Sequence, residues 1–446
     1  MKGDSPQTWA HGALPRDRAE TALADKKPLL SEAEAGAEAE RCLYCADAPC
    51  VAACPTSIDV PGFIKRIASG NVRGSARTIL EQNVLGYSCA RACPVEVLCE
   101  GACVYEAWQR KPIAIGRLQR YAVEKATDGL RRPVLPRRAR EHTFTKRVAC
   151  VGGGPASLAF AAQMAREGHE AVVYEKRAFA GGLNTTGIAP YKLHSDAALA
   201  EVEWVRALGV EIRTGVEVGR DVPADALLSA FDGVFLGLGL GEDARLAIPG
   251  EQGPGVVGAT AWIETMKTAR GDKPRLGHVA VVGGGNTALD VARECAQLGA
   301  SEVTVVYRRG LESMSGYAHE LEAARKEGVR LVTGTRPVAV LRDDRGEVRG
   351  LRVAGPSGTE HEMACDWVAI AIGQSKLREL ALAFPGVALD ARGCVVADPS
   401  TGATGNPKVY SGGDCVNGGK EVVNAVADGR NAARHLLTLW DSTWRT

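Results

Sequence analysis

Eight of the thirteen cysteines lie between Cys42 and Cys103, in two runs, RCLYCADAPCVAACP (41–55) and SCARACPVEVLCEGAC (88–103). The first is spaced C-x2-C-x4-C-x3-C-P and the second C-x3-C-P-x4-C-x3-C. Thiolates at such short intervals converge on a soft metal centre. The Cys-Pro endings match the run of two-cluster ferredoxins, whose fourth cysteine ligates the other cluster. Tetrahedral zinc, in a domain that only docks partners, is the rival chemistry, but zinc sites usually pair C-x-x-C knuckles and neither run has two. A disulfide framework comes third, because a reducing cytosol keeps thiols reduced and a chain this long needs no staples. The remaining cysteines, Cys150, Cys295, Cys365, Cys394 and Cys415, are scattered singly and read as small buried hydrophobes.

A second kind of chemistry is written in two Gly-rich stretches, RVACVGGGPASLAFAAQMAREGHEAVVYEK (147–176) and HVAVVGGGNTALDVARECAQLGASEVTVVYRR (278–309). Each reads strand, turn, helix, strand, the opening of a dinucleotide-binding βαβ unit. In the first, Gly152 allows the tight turn and Gly154 admits a pyrophosphate against the backbone. Ser157 keeps the third position small. Pro155 and Ala156 open a helix whose free N–H groups face the phosphates. Glu175, 21 residues beyond Gly154, stands where a carboxylate accepts from a ribose 2′-OH. In the second stretch Gly283, Gly285 and Ala288 repeat the plan, with Asn286 and Thr287 starting the helix, but the strand ends in Tyr307-Arg308-Arg309 without a carboxylate. Arginines there suit a 2′-phosphate and favour NADP(H) over NAD(H).

These elements need a scaffold. At 446 residues the length suggests about three domains. Fifty-four basic against fifty-three acidic residues leave no global field for nucleic acid or an acidic membrane surface. No apolar run reaches the roughly 18 residues of a spanning helix, and the N-terminus lacks an apolar leader, so a cytoplasmic protein is expected. Ser31 and Glu34 form a capping box ahead of a short helix leading into the cysteines. From 42 to about 128 helical stretches alternate with Cys-Pro breaks. RRPVLPRRAREHTFTKR (131–147) has the basic, Pro-punctuated composition of a linker.

Farther along, AGGLNTTGIAPYK (180–192) and VYSGGDCVNGGKEVVNAVADGRNAARHL (409–436) resemble segments of the two-dinucleotide-domain flavoprotein reductases. That resemblance implies FAD in the first site. Asp414, after Gly413, would bond the flavin's ribityl chain, and a helix from about Glu421 would point its N-terminus at the isoalloxazine. It adds Lys176, Gly182, Leu183, Lys192, Val218 and Val423 to the FAD set and Gly373 to the nicotinamide set. The expected fold is α/β: two Rossmann-like domains, the NAD(P) domain (266–385) inserted in a split FAD domain (146–265 and 386–446). A helical two-cluster iron–sulfur domain (1–128) and a basic linker (129–145) precede them. Thioredoxin-reductase-like members pass electrons to a C-x-x-C in the inserted domain, where this chain has no such pair, Cys295 and Cys365 standing singly, so the exit points to the N-terminal cysteines.

The stretches CADAPC, CPTSIDVPGFI, LGYSCARACPVEVLCEGAC and IAIGRLQRYA resemble the electron-input half of dihydropyrimidine dehydrogenase, or its separate bacterial NAD(P)H- and FAD-binding subunit, with the glutamate synthase small subunit a near cousin. The resemblance implies crossed ligation of two 4Fe-4S clusters: Cys42, Cys45, Cys50 and Cys103 for one, and Cys54, Cys93, Cys99 and Gln119 for the other. Cys89 is left without a metal role. Lys192 stands where that family has an Arg near the flavin, and Ser315 where it has an Arg on the NADPH phosphate, which counts against a 2′-phosphate site. The sequence contains no FMN-binding barrel, so the resemblance implies an FMN-containing catalytic partner in a hetero-oligomer.

Overall fold

In the computed structural model the described residues are 14–136, 145–271, 274 and 276–444. Among them, residues 14–136 form helices and no strands. Apolar side chains three and four apart give each helix one buried face. Val60–Ala68 buries Val60, Phe63, Ile64 and Ile67, while Val72–Gln82 buries Ala76, Ile79 and Leu80. The expected capping box is present, Ser31 and Glu34 each accepting from the other's backbone N–H. Asp59 and Asn71 cap the next two long helices, accepting from Gly62 N and Gly74 N, both at 2.9 Å.

The rest of the chain is two parallel sheets. Strands β1 (Arg147–Val151), β2 (Glu170–Glu175), β3 (Glu211–Thr214) and β4 (Gly233–Leu236) belong to the first. Then follow β5 (Val256–Gly258), β6 (His278–Val282), β7 (Glu302–Val306) and β8 (Arg330–Val332). A hairpin unit of β9 (Arg336–Arg342), β10 (Val348–Ala354) and β11 (Glu360–Met363) precedes β12 (Trp367–Ile370), and β13 (Val409–Ser411) comes last. The first sheet is ordered β13-β4-β1-β2-β3 and the second β5-β12-β6-β7-β8, all parallel, with an antiparallel β11-β10-β9 sheet beside them. β1 and β6 each sit where the strand order reverses, so the crevice beyond their carboxyl ends is a nucleotide site in both domains.

Sheet membership shows where the chain changes hands. β13 pairs with β4, so the C-terminal segment completes the first domain. The second sheet already begins at β5, ahead of residue 266. Ala381 and Phe384, ahead of 386, are buried with Val151, Tyr174 and Val409 of the first domain. The helix Pro155–Arg166 crosses the long C-terminal helix Val422–Trp444 closely at Gly429, where a Cβ would lie 1.9 Å from Ala156 O.

The basic segment is not wholly a tether: Val134 and Leu135 are buried in the helical core, while residues 137–144 lie outside the described residues. The lead-in 14–31 is also more than polar, burying Leu14, Ala19, Leu23 and Leu30. Among the described residues no helix is long and apolar enough to cross a membrane.

Candidate functional site

Gly152 adopts φ +92°, and a Cβ there would meet Gly237 O at 2.5 Å, so the turn after β1 excludes any side chain. At Gly154 the nearest atom to a Cβ is Gly182 Cα at 3.9 Å. At Gly285 it is Ser315 Oγ at 3.4 Å. Both turns therefore leave room for a ligand at the N-terminus of a 12-residue helix, which is where a pyrophosphate belongs.

The two turns open into one continuous cleft. Gly152, Gly154, Pro155, Ala156, Glu175 and Lys176 line its first wall, extended by Gly182, Leu183, Lys192, Val218, Gly413 and Asp414. Gly283, Gly285, Asn286, Thr287, Arg308, Arg309 and Gly373 line the second domain's side. Ser157 and Val423 do not face it. Ser157 is fully buried, its Oγ 2.2 Å from where a Cβ on Gly237 would be, so it packs helix against strand end. Val423 is turned inward at 2 % exposure, and its neighbours Val422, Asn424 and Ala425 form the wall instead.

Charge is arranged around this cleft. Glu175 Oε2 accepts from Gly153 N at 2.7 Å and Oε1 from Arg177 N at 2.8 Å, so the carboxylate fixes the Gly-rich turn onto the end of β2. Burial raises its pKa, against the pull of those two bonds. Burial likewise raises Asp414, opposed by Lys420 N and the Lys376 charge. Arg309 Nε donates to Tyr307 Oη at 2.9 Å, whereas Arg308 makes no hydrogen bond or ion pair among the described residues and stays available to an anion.

Three participants escaped the sequence reading. Asp290 and Glu320 of the second domain each hold Lys192 Nζ at 2.7 Å, and Asp290 also accepts from Tyr191 Oη at 2.7 Å. Burial pushes Lys192 down, but the two carboxylates prevail and keep it cationic. Tyr317 crosses the cleft, its hydroxyl donating to Glu421 at 2.8 Å beside the start of the long C-terminal helix, while its N–H donates to Asn286 Oδ1 at 2.9 Å. The Asn286 side chain in GGGN was the one local signal; the partners of Lys192 lie about a hundred residues away in sequence.

The cysteines fall into two groups. Cys42, Cys45, Cys50 and Cys103 surround a small apolar cavity walled by Pro49, Val60, Ile64, Tyr105 and Ile113. Burial, then the Cys103 and Cys42 thiols, push Cys50 up to about 11. Cys93 is raised by Cys89, burial, Cys99 and Cys54, and Cys99 by burial, Glu100, Cys54 and Cys50, so Cys54, Cys93 and Cys99 form a second group with Cys89 alongside and Cys50 within reach of it. Gln119 lies on the helix Ile115–Ala126, its Nε2 donating at 2.6 Å to Gly86 O at the start of the helix carrying Cys89. Its Oε1 makes no hydrogen bond among the described residues. No set of three or more His, Cys, Asp or Glu among the described residues is gathered for a single metal ion. Thiols ringing an apolar cavity suit a multi-iron cluster better. All five scattered cysteines are buried.

Residues 19–129 match the family described as dihydropyrimidine dehydrogenase domain II, 4Fe-4S cluster, and residues 146–429 match pyridine nucleotide-disulphide oxidoreductase. The chain is 34% identical over 437 residues to the glutamate synthase [NADPH] small chain of Escherichia coli (strain K12), covering 92% of each. It is 33% identical over 419 residues to the NAD-dependent dihydropyrimidine dehydrogenase subunit PreT of the same organism, covering 93% of this chain and 96% of that one. Among solved structures, the thioredoxin reductase of T. acidophilum shares the fold at a TM-score of 0.55 and 21% identity, over 66% of this chain and 99% of that one. The chain belongs to the pyridine nucleotide-disulphide oxidoreductase family and joins its FAD- and NAD(P)H-binding fold to a 4Fe-4S domain of the dihydropyrimidine dehydrogenase type.

Proposed function

We propose that this protein is the electron-input subunit of a hetero-oligomeric reductase, oxidising NAD(P)H, with NADPH preferred, and delivering the electrons to a catalytic partner that carries FMN. The observation that carries this reading is adjacency. Tyr317 crosses the cleft to bond Glu421, and Ala92, Pro94, Val97 and Leu98, which flank Cys93 and Cys99, line that same cleft. The nicotinamide domain, the expected flavin end and the second cysteine group therefore meet at one place.

FAD would supply hydride acceptance with release of single electrons, and two 4Fe-4S clusters would carry them onward. Hydride transfer needs no side-chain acid, base or nucleophile, so the chain's own work is positioning. Glu175 holds the phosphate turn in shape, Arg308 offers a free guanidinium to a 2′-phosphate, and Lys192 pins the two domains together beside the cleft. Cys42, Cys45, Cys50 and Cys103 would hold one cluster, and Cys54, Cys93, Cys99 and Gln119 the other.

For the partner we favour a dihydropyrimidine dehydrogenase subunit that reduces uracil and thymine, supported by the match over residues 19–129 and the likeness to PreT along nearly the whole of both chains. A glutamate synthase large chain is the second reading. It is favoured by the equally extensive likeness to the small chain of the NADPH enzyme and by the Arg308-Arg309 pair. Co-purification from native cells tests both. Uracil-dependent NADPH oxidation by the isolated complex is expected; turnover of glutamine plus 2-oxoglutarate instead assigns the second partner. A chain purified without iron, carrying zinc, overturns the electron-input role itself.

A further inference from the structure

The long C-terminal helix carries a buried cation for which the described residues supply no acid. Arg430 is 7 % exposed, and every partner it has is neutral. Its Nη1 donates to Thr56 O at 2.7 Å, Gln82 O at 2.8 Å and Gln82 Oε1 at 3.1 Å, and Nη2 donates to Asn431 Oδ1 at 3.3 Å. Its Nε is buried and unpartnered. Among the described residues it forms no ion pair, and the charges near enough to act on it are Arg434, which repels it, and the Cys54 thiol. Gln82 ends its helix, so the carbonyl end of that dipole offsets part of the charge. A buried guanidinium ordinarily requires a full counter-ion.

The missing charge lies one contact farther on. Thr56, whose carbonyl holds Arg430, places its Oγ1 3.3 Å from Cys54 Sγ. We propose that Arg430 is the counter-ion of the cluster expected on Cys54, Cys93 and Cys99, and a positioning residue that ties this cluster to the flavin domain. This rests on the reading of Cys54 as a cluster ligand. Thiolate-ligated clusters carry net negative charge that grows by one on reduction. A cation fixed nearby in a low-dielectric interior therefore favours the reduced form and raises the potential. Gly429, the preceding residue, lets this helix lie against Pro155–Arg166, the helix that opens at the pyrophosphate turn. One stretch thus contacts both the nucleotide-binding helix and the cysteine loop.

The test is a potentiometric titration of the reduced-cluster EPR signals of the purified holoprotein, with iron analysis, in wild type, Arg430→Gln and Arg430→Lys. Arg430→Gln is expected to shift the midpoint of one cluster downward and leave the other in place, with Arg430→Lys close to wild type. Should Arg430→Gln lose one cluster outright, Arg430→Lys must keep it, since lysine retains the charge. Unmoved midpoints at full iron content, or a lysine variant displaced as far as the glutamine variant, overturn the counter-ion role. Wild-type protein without about eight irons per chain would instead sink the two-cluster reading beneath it.

Discussion

At the scale of single residues the two cysteine groups make the sharpest claim, because Cys50 and Cys54 are four positions apart yet face different neighbours. Cys50 lines the cavity shared with Cys42, Cys45 and Cys103 and also acts on Cys99, whereas Cys54 stands outside that cavity and acts on both Cys93 and Cys99. Cys50→Ser and Cys54→Ser should therefore each remove about half the iron but extinguish different EPR signals; the same signal lost in both would refute the crossed arrangement. Arg308 allows a second residue-level expectation. It has no partner among the described residues, so removing it leaves nothing inside the protein unsatisfied, and a charge-assisted bond to a phosphate is worth about 1.5–3 kcal/mol. Arg308→Ala should raise the KM for NADPH about tenfold or more and leave NADH oxidation unchanged. An equal loss with both nucleotides would place the residue's role elsewhere. Most of these positions were legible beforehand because each is written within a few residues of its partners: the two Gly-rich turns, the Cys-Pro runs, the Ser31–Glu34 box. Ser157 and Val423 lie off the cleft wall, since a helix adjoining the cleft turns only part of its surface toward it.

Elements explain what the sequence withheld. Hydrophobic periodicity reports that a helix has a buried face without saying what covers it, and here the covers are distant: Arg18 reaches Asp196 across 178 residues, and Tyr191 reaches Asp290 across 99. The helix Ala259–Thr268 is the telling case. Its fully buried Lys267 donates to Asn184 O at 3.0 Å, Ile188 O at 2.9 Å and Leu193 O at 2.8 Å, clamping a helix on the second sheet to a loop of the first domain. Removing the amine strands three buried carbonyls, so Lys267→Met should cost about 3–5 kcal/mol, read as a lowered midpoint in urea. Burial pushes this amine down to about 8, against the raising influence of Glu20 and Glu294. The unfolded chain, with an ordinary lysine near 10.4, then holds the proton more tightly between about pH 8 and pH 10.4. Over that window wild-type stability should rise with pH relative to Lys267→Met. A flat difference curve would mean that the three carbonyls keep the ammonium charged at its ordinary pKa.

For the whole molecule the decisive junction is the one between the helical domain and the flavin domain, since electrons must cross it. Glu201, on the helix Ser195–Ala207, is buried against the helix Gly86–Ala92, accepting from Tyr87 N at 2.8 Å, Ser88 N at 3.0 Å and the Ser88 hydroxyl. Burial pushes it up to about 8, while those donors pull the other way. One carboxyl from the flavin domain thus satisfies the orphan N–H groups of the helix that carries Cys89 and ends at Cys93. Arg91 of that helix bonds Lys192 O of the flavin domain at 2.7 Å, and together with Arg120 it binds Asp25, at 2.5 Å and 2.7 Å, drawing in the N-terminal segment. Glu201→Ala leaves two buried N–H groups unpaired at a cost of about 2–4 kcal/mol, at a residue that itself does not line the nucleotide cleft. Rapid mixing with NADPH should therefore show flavin reduction at the wild-type rate and slowed bleaching of the iron–sulfur absorbance, with faster amide exchange over residues 86–92. Were both optical phases slowed alike, the two dinucleotide domains and the helical domain would be coupled as one unit, and the contact at Glu201 would not act on the junction alone.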